Sequence, residues 1–190
     1  MRAFFREVAV ILVVAVVIVS GLHFVAQDYV INEYCMEPTL QEGQRILVNK
    51  LVYKFHEPER GDVIVFYPPP PYDSAAVPFI KRVIAIPGDT VEIKGGAVYV
   101  NDVALDEPYI KEPPSYTFSL YEIPEDHYFV LGDNRNVAND SHRWGVLPLR
   151  DEEGHQNIIG KAWLSTWPLD KWGLVINYPL KEQLVNSAGE

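Results

Sequence analysis

Three stretches of the sequence carry side chains whose types and spacing permit chemistry. The first is Cys35-Met36-Glu37-Pro38-Thr39-Leu40, where proline and threonine mark a turn, a setting that presents side chains well. Cys35 is the single cysteine, so no intramolecular disulfide can form. It reads either as a small buried hydrophobe or as a nucleophilic thiol. The second is Lys81, within Phe79-Ile80-Lys81-Arg82-Val83-Ile84. Strand alternation places Phe79, Lys81 and Val83 on one face. At a strand edge such a lysine is a solvated charge; desolvated, with a lowered pKa, it can act as a base. Lowering that pKa by about three units costs roughly 4 kcal/mol, which the fold must supply. The third is Gly132-Asp133-Asn134-Arg135, continuing to Asn139-Asp140-Ser141-His142-Arg143-Trp144-Gly145. A polar loop of this kind is either a solvated turn or an ordered hydrogen-bonded network, and its density of Asp, Asn and Arg favours the network. The five histidines are scattered, and neither HExxH, CxxC nor a glycine-rich phosphate loop occurs. No metal or cofactor is therefore expected.

The elements that position these groups begin with an apolar run. Residues 8–26, VAVILVVAVVIVSGLHFVA, contain no Asp, Glu, Lys or Arg. As a helix they span roughly 28 Å, close to the hydrocarbon thickness of a bilayer. A cleaved secretory signal is the competing reading, but its best cut site, Phe24-Val25-Ala26, opens on a bulky residue, which favours an uncleaved anchor. Arg2 and Arg6 precede the run while Asp28 and Glu33 follow it. That bias puts the N-terminus in the cytoplasm and residues 28–190 outside, at the plasma membrane. His23, near the helix end, reads as interfacial. Residues 1–27 are thus the cytoplasmic tip and transmembrane anchor, and 28–190 one extracytoplasmic domain. The length of 190 residues and an apolar share of 48 % suit one globular domain with a sizeable core. A net charge of −10 disfavours binding to phosphate backbones, so nucleic acid is not expected as a partner.

Beyond the anchor, strand signals dominate. Residues 45–55, 63–67, 79–86, 90–94, 97–100, 127–131 and 158–167 read as short strands. Pro87-Gly88-Asp89, Gly95-Gly96 and Asn101-Asp102 are tight turns between them, which suggests antiparallel hairpins. The proline-rich stretch 68–78 cannot be a central strand. Residues 102–126 read as a small excursion from the main sheet. The aromatic and apolar segment 166–180 reads as a core strand or, alternatively, as a membrane-touching surface, with core the blander of the two. The expected fold is mostly β: an antiparallel, barrel-like catalytic domain behind one N-terminal transmembrane helix.

Taken in order, CMEPTL at 35–40, KRVIAIPGD at 81–89 and GDNRNVANDSHRWG at 132–145, following an anchor, resemble the bacterial type I signal peptidases, or leader peptidases. GDVIVF at 61–66 and VYVNDVALDEPYI at 98–110 extend the likeness over nearly the whole chain. The short insert between the second and third motifs is similar to the compact, Gram-positive-like form. Each motif alone is weak; together, in this order, they are specific.

The resemblance implies a Ser/Lys-dyad endopeptidase that removes signal peptides from exported preproteins after a small residue. The nucleophile attacks the peptide carbonyl, an unprotonated lysine takes its proton, and water releases the acyl-enzyme. By position Cys35 replaces the serine and Lys81 is the lysine. Arg82 and Asp133 fall on a supporting ion pair, and Asp140 on a second structural aspartate. Ile31, Met36, Leu40, Phe79 and Ile80 fall on the substrate pocket. Backbone amides at the Cys35 turn would supply an oxyanion hole, and the substrate would lie extended against strand edges. The implied partners are preprotein signal peptides, membrane lipid and the protein-export machinery.

Three positions depart from the family pattern: Cys35 itself, Ala138 in place of a serine near the lysine, and His142 in place of an arginine that pairs with the aspartate. A thiol ionises far more readily than an alcohol, so the first departure is compatible with activity through a thioester. Two other functions fit parts of the sequence. One is a catalytically impaired homologue acting as a membrane-anchored preprotein- or translocase-binding protein. The other is a self-cleaving protease of the same fold, against which the anchor and the lack of a DNA-binding segment argue.

Overall fold

The computed structural model describes residues 2–70, 77–151, 153–178, 180, 183 and 184, with backbone alone at 2, 3, 17–20 and 22–24. The apolar run forms α1 (Arg2–Val25), which leads directly into β1 (Ala26–Val30). Among the described residues no helix is long and apolar enough to cross a membrane. Part of the expected anchor, the side chains at 17–20 and 22–24, lies outside the described residues.

A 3-10 turn, Tyr34–Met36, follows β1 and carries the cysteine. The chain then forms β2 (Arg45–Asn49), α2 (Val52–Phe55), β3 (Val63–Phe66), β4 (Phe79–Ala85), β5 (Thr90–Lys94), β6 (Ala97–Val100), β7 (Val103–Ala104), β8 (Phe118–Glu122) and β9 (His127–Leu131). Next come α3 (Ser141–Trp144), β10 (Leu147–Pro148), β11 (Ile158–Trp167) and β12 (Gly173–Leu174). The large sheet runs β1-β2-β11-β3-β4-β9-β10, with β12 paired to β11, and every pairing is antiparallel. A smaller antiparallel sheet runs β7-β6-β5-β8. The mostly β, antiparallel expectation therefore holds.

Turn chemistry explains the small sheet. Gly95 (φ 59°) and Gly96 (φ 79°) link β5 to β6, and Asn101 (φ 52°) and Asp102 (φ 66°) link β6 to β7. Consecutive left-handed residues are what a two-residue hairpin needs, since their twist matches that of the strands. The sheet begins at Thr90 and takes in β8, so the departure from the main sheet starts earlier than the 102–126 expected. Val91, Ile93, Val98 and Val100 are buried beneath it with Phe129 and Leu131 of β9, which joins the two sheets through one core.

Two local expectations fail. Residues 45–55 are not one strand: β2 ends at Asn49, whose Oδ1 accepts from the amides of Leu51 (3.0 Å) and Val52 (3.2 Å). That side chain offers the backbone a turn in place of the next ladder bond, and one turn of helix follows. The C-terminal segment is not a core strand either. Trp167, Leu169, Trp172, Leu174 and Ile176 are exposed, while Val175 and Leu180 are buried. The sheet already holds buried side chains on the other face of β11, so apolar content here marks the outer face of a hairpin.

Candidate active site

β4 is the central element of the site. From Ile80 to Ala85 every residue is buried. Successive side chains leave a strand on opposite faces, so Lys81 and Arg82, each with no exposed surface, serve different surroundings.

Lys81 Nζ donates to Cys35 Sγ at 3.1 Å and to the Ile80 carbonyl at 3.0 Å. It also lies 3.9 Å from Glu33 Oε2 and 5.0 Å from the centre of the Phe79 ring. The thiol lies 3.7 Å from the Ile80 carbonyl. Burial pushes the Cys35 thiol above its ordinary range, the adjacent Lys81 pulls it back by charge and hydrogen bond, and Glu33 pushes it up again. A sulfur and an amine 46 positions apart in sequence thus meet inside the protein within hydrogen-bonding reach.

Arg82 is held quite differently. Its Nε and Nη2 donate to the two carboxylate oxygens of Asp133, at 2.9 and 2.8 Å, and its Nη1 donates to the carbonyls of Gly61 and Ile176. The Tyr109 ring covers the guanidinium at 4.3 Å. Asp133 also accepts from the Thr39 hydroxyl. This pair ties β4 to the loop after β9 and, through Thr39, to the loop that bears the cysteine.

That loop is anchored a second time. The amide of Asn134 donates to the Cys35 carbonyl (3.0 Å), and its side chain donates to the Tyr34 carbonyl (3.0 Å). At Gly132 a methyl group would stand 2.5 Å from both the Cys35 carbonyl oxygen and the Ala138 Cβ, so only glycine allows this approach. Asp140 caps α3 through the His142 amide, and its other oxygen accepts from the Gly132 amide at 2.9 Å.

His142 Nδ1 lies 2.6 Å from Asp140 Oδ1, and Arg143 Nε lies 3.2 Å from His142 Nε2. Because arginine can only donate, Nε2 accepts and Nδ1 carries the hydrogen toward Asp140. The pairing therefore needs no charge on the ring, which also stacks on Tyr116 at 3.9 Å. Ala138 is fully buried in the same apolar cluster as Cys35, Met36, Leu40 and Ile80, and brings no polar atom there.

A cleft of about 250 Å³ opens beside the dyad, lined by Ile31, Glu33, Val65, Phe79 and Ile80 among others. Ile31, Phe79 and Ile80 are thus on its wall. Met36 and Leu40 do not line it: the 3-10 turn directs Met36 into the core, and Leu40 borders a separate cleft together with Tyr109 and Val175.

The sequence reading overlooked two features. Glu33 stands two residues before Cys35, and an acidic residue so near the turn was a signal available in the sequence. The second is Glu107, which accepts from both Nη atoms of the fully buried Arg135, at 2.7 and 2.6 Å. Burial alone would push that guanidinium down, but the bonds and charge of Glu107 hold it above its ordinary value. The two are 28 positions apart, and no local pattern marks them as partners. Among the described residues no group of His, Cys, Asp and Glu could hold a metal ion.

Similarity to known proteins gives the family of the chain. A profile of the family described as signal peptidase, peptidase S26, matches residues 3–167. The chain is 46 % identical over 176 residues to a probable signal peptidase I-1 of Synechocystis sp., covering 90 % of this chain and 86 % of that protein. It is 42 % identical over 167 residues to a signal peptidase I of Leptolyngbya laminosa, covering 84 % and 78 %. With a signal peptidase IB of Staphylococcus aureus (strain N315) it shares 35 % identity over 167 residues, covering 78 % and 82 %. With the match running through the turn of Cys35, the strand of Lys81 and the loop of Asp133, this chain is a peptidase that belongs to the signal peptidase family, peptidase S26.

Proposed function

We propose that this peptidase removes N-terminal signal peptides from exported preproteins through a Cys35–Lys81 dyad. The observation that carries the reading is the 3.1 Å approach of a fully buried amine to the sole thiol of the chain. Cys35 Sγ attacks the scissile carbonyl carbon while its proton passes to Lys81 Nζ. Backbone N–H groups at the Cys35 turn meet the oxyanion that forms. Collapse breaks the C–N bond, the leaving amine takes the proton from Lys81, and a thioester remains on Cys35. Lys81, neutral again, takes a proton from water as that water attacks the thioester. Cleavage of the C–S bond then returns the sulfur and its proton to the starting arrangement.

The cleft beside the dyad supports binding of the peptide segment before the cut. Its walls are apolar at Ile31, Phe79 and Ile80, and its volume is about 250 Å³. That volume holds far more than a methyl group, so the cleft receives a stretch of peptide, and the preference for a small residue at the cut rests on the family likeness. An extended peptide beside Ile31 can pair through its backbone with the chain that continues from β1, the outermost strand of the large sheet. Arg82, Asp133 and Asp140 hold the loops around the dyad in register.

The same reading places the protein at the plasma membrane, with α1 as a single-pass anchor, N-terminus cytoplasmic and the β domain outside. The exposed, uncharged side chains of α1 from Val8 to Val16 support it. So does the hairpin of β11 and β12, which presents Trp163, Trp167 and Trp172 outward. Tryptophan favours the membrane–water interface, where its ring is apolar and its N–H is wet. The test is cleavage of a preprotein by the full chain in lipid vesicles. We expect a cut after a small residue, blocked by iodoacetamide. Unchanged cleavage by Cys35→Ala would overturn the dyad.

A further inference from the structure

Lys81 presents an inventory that its dyad role does not complete. An ammonium has three N–H donors and no acceptor. One faces the Cys35 sulfur and one the Ile80 carbonyl. The remaining acceptor in reach is Glu33 Oε2 at 3.9 Å. Among the described residues no other side chain accepts from this amine, and Ala138, buried in the cluster around Cys35, brings no hydroxyl or carboxylate. Every other charged group nearby is engaged elsewhere. Arg82, next on β4, is matched to Asp133. On the cysteine loop Glu37 is paired with Lys111 and Glu42 with the Tyr34 hydroxyl. On the cleft wall Asp28 is paired with Arg45. The β3 residue opposite Lys81 is Ile64, which is apolar. Among the described residues Glu33 is thus the one carboxylate left facing the dyad, half exposed on the cleft wall.

We propose that Glu33 is a positioning residue for the dyad: its carboxylate steadies the Lys81 ammonium against the Cys35 sulfur and sets the pH at which the pair loses a proton. The inference rests on the Cys35–Lys81 reading and adds a third member to it. The signs follow from charge alone. With a thiol and an ammonium the pair is positive, and a carboxylate stabilises it. Once the pair has lost a proton that stabilisation is gone, and a thiolate so formed is opposed by the same carboxylate. Both effects delay proton loss to higher pH. Two unit charges about 4 Å apart, one buried and one half exposed, move such a midpoint by at least roughly half a pH unit to one, the value reached in water. In the reaction the carboxylate makes Lys81 a stronger acceptor for the thiol proton and holds it in place to be delivered to the leaving amine.

The test uses the full chain in detergent or vesicles. Cys35 is the only cysteine, so the pH dependence of its alkylation by iodoacetamide reports the pair directly, with Cys35→Ala as the blank. In low salt, Glu33→Gln should shift the alkylation midpoint downward by at least roughly half a unit to one. It should shift the acid limb of kcat/KM for peptide cleavage by the same amount and lower kcat several-fold. Glu33→Asp should restore the wild-type midpoint. In 1 M salt the difference between wild type and Glu33→Gln should shrink, because the carboxylate is half exposed and screened. An unchanged or raised midpoint in Glu33→Gln overturns the proposal, as does a shift that salt does not reduce. The two readings fail separately: absent cleavage, or cleavage surviving Cys35→Ala, counts against the dyad, while the thiol titration alone decides Glu33.

Discussion

Lys81 and Arg82 are neighbours on one strand, both cationic and both closed from solvent, yet the protein treats them in opposite ways. Arg82 meets a buried carboxylate through two parallel bonds, two carbonyls through Nη1 and an aromatic face above. Lys81 meets a sulfur, one carbonyl and a carboxylate held at 3.9 Å. A buried charge matched by a carboxylate, carbonyls and a ring is a structural cross-link; Lys81, whose partners are a sulfur, one carbonyl and a more distant carboxylate, is held less firmly. The comparison separates the residue that holds the site from the residue proposed to work in it.

The contrast breaks most sharply at the dyad. Lys81→Met should reduce cleavage by about 10⁴-fold or more, the scale seen when one member of a cooperating catalytic set is removed. Its melting temperature should be equal to or above that of wild type, because an incompletely paired buried amine is replaced by an apolar chain of similar shape. A large fall in melting temperature would show Lys81 to be as structural as its neighbour. Arg82→Met should do the reverse. It leaves Asp133 buried and unpaired and should cost about 3–5 kcal/mol in denaturant unfolding, with activity lost through the fold. Thr39→Val removes one bond to the same carboxylate and should cost about 1–3 kcal/mol, since Asp133 keeps both bonds from Arg82. The smallest effect lies in the pH profile of the wild type. Because burial holds the Cys35 thiol above its ordinary range, ionised sulfur is scarce at neutral pH and kcat/KM should climb as pH rises above 7. A flat profile from pH 5 to 9 would remove the titrating pair from the mechanism.

The same contrast marks how much was legible in the sequence. The hairpins of the small sheet could be read from Gly95-Gly96 and Asn101-Asp102, because left-handed turns need those residue types. β4 and β9 could be read from apolar runs between turns. By contrast, β1 (AQDYV) and β8 (FSLYE) carry no such run and were not anticipated as strands. Each is extended through its pairing with a neighbouring strand, β1 with β2 and β8 with β5, and pairing is not encoded locally. The exposed C-terminal hairpin misled for the opposite reason: apolar content signals burial in water, and composition cannot say which face of a strand a core already occupies. At the site, resemblance pointed to Cys35, Lys81, Arg82 and Asp133, and in the structure the last two form a doubly bonded pair. It offered nothing on Glu33, whose part is electrostatic, or on the Glu107–Arg135 link, whose partners meet only through the tertiary fold.

The clamp on the cysteine turn bears on when a reactive sulfur first exists. Tyr34 and Cys35 are gripped through their carbonyls by Asn134, a residue 100 positions later than Tyr34, and are packed against Gly132. A chain still being synthesised, or one cut short before β9, possesses the thiol without the scaffold that aims it. Such a fragment should be proteolytically inert, and competence should arrive in a single late step, when the segment following β9 docks. The peptidase is thereby kept from attacking peptides, its own leading segment included, until its architecture is complete.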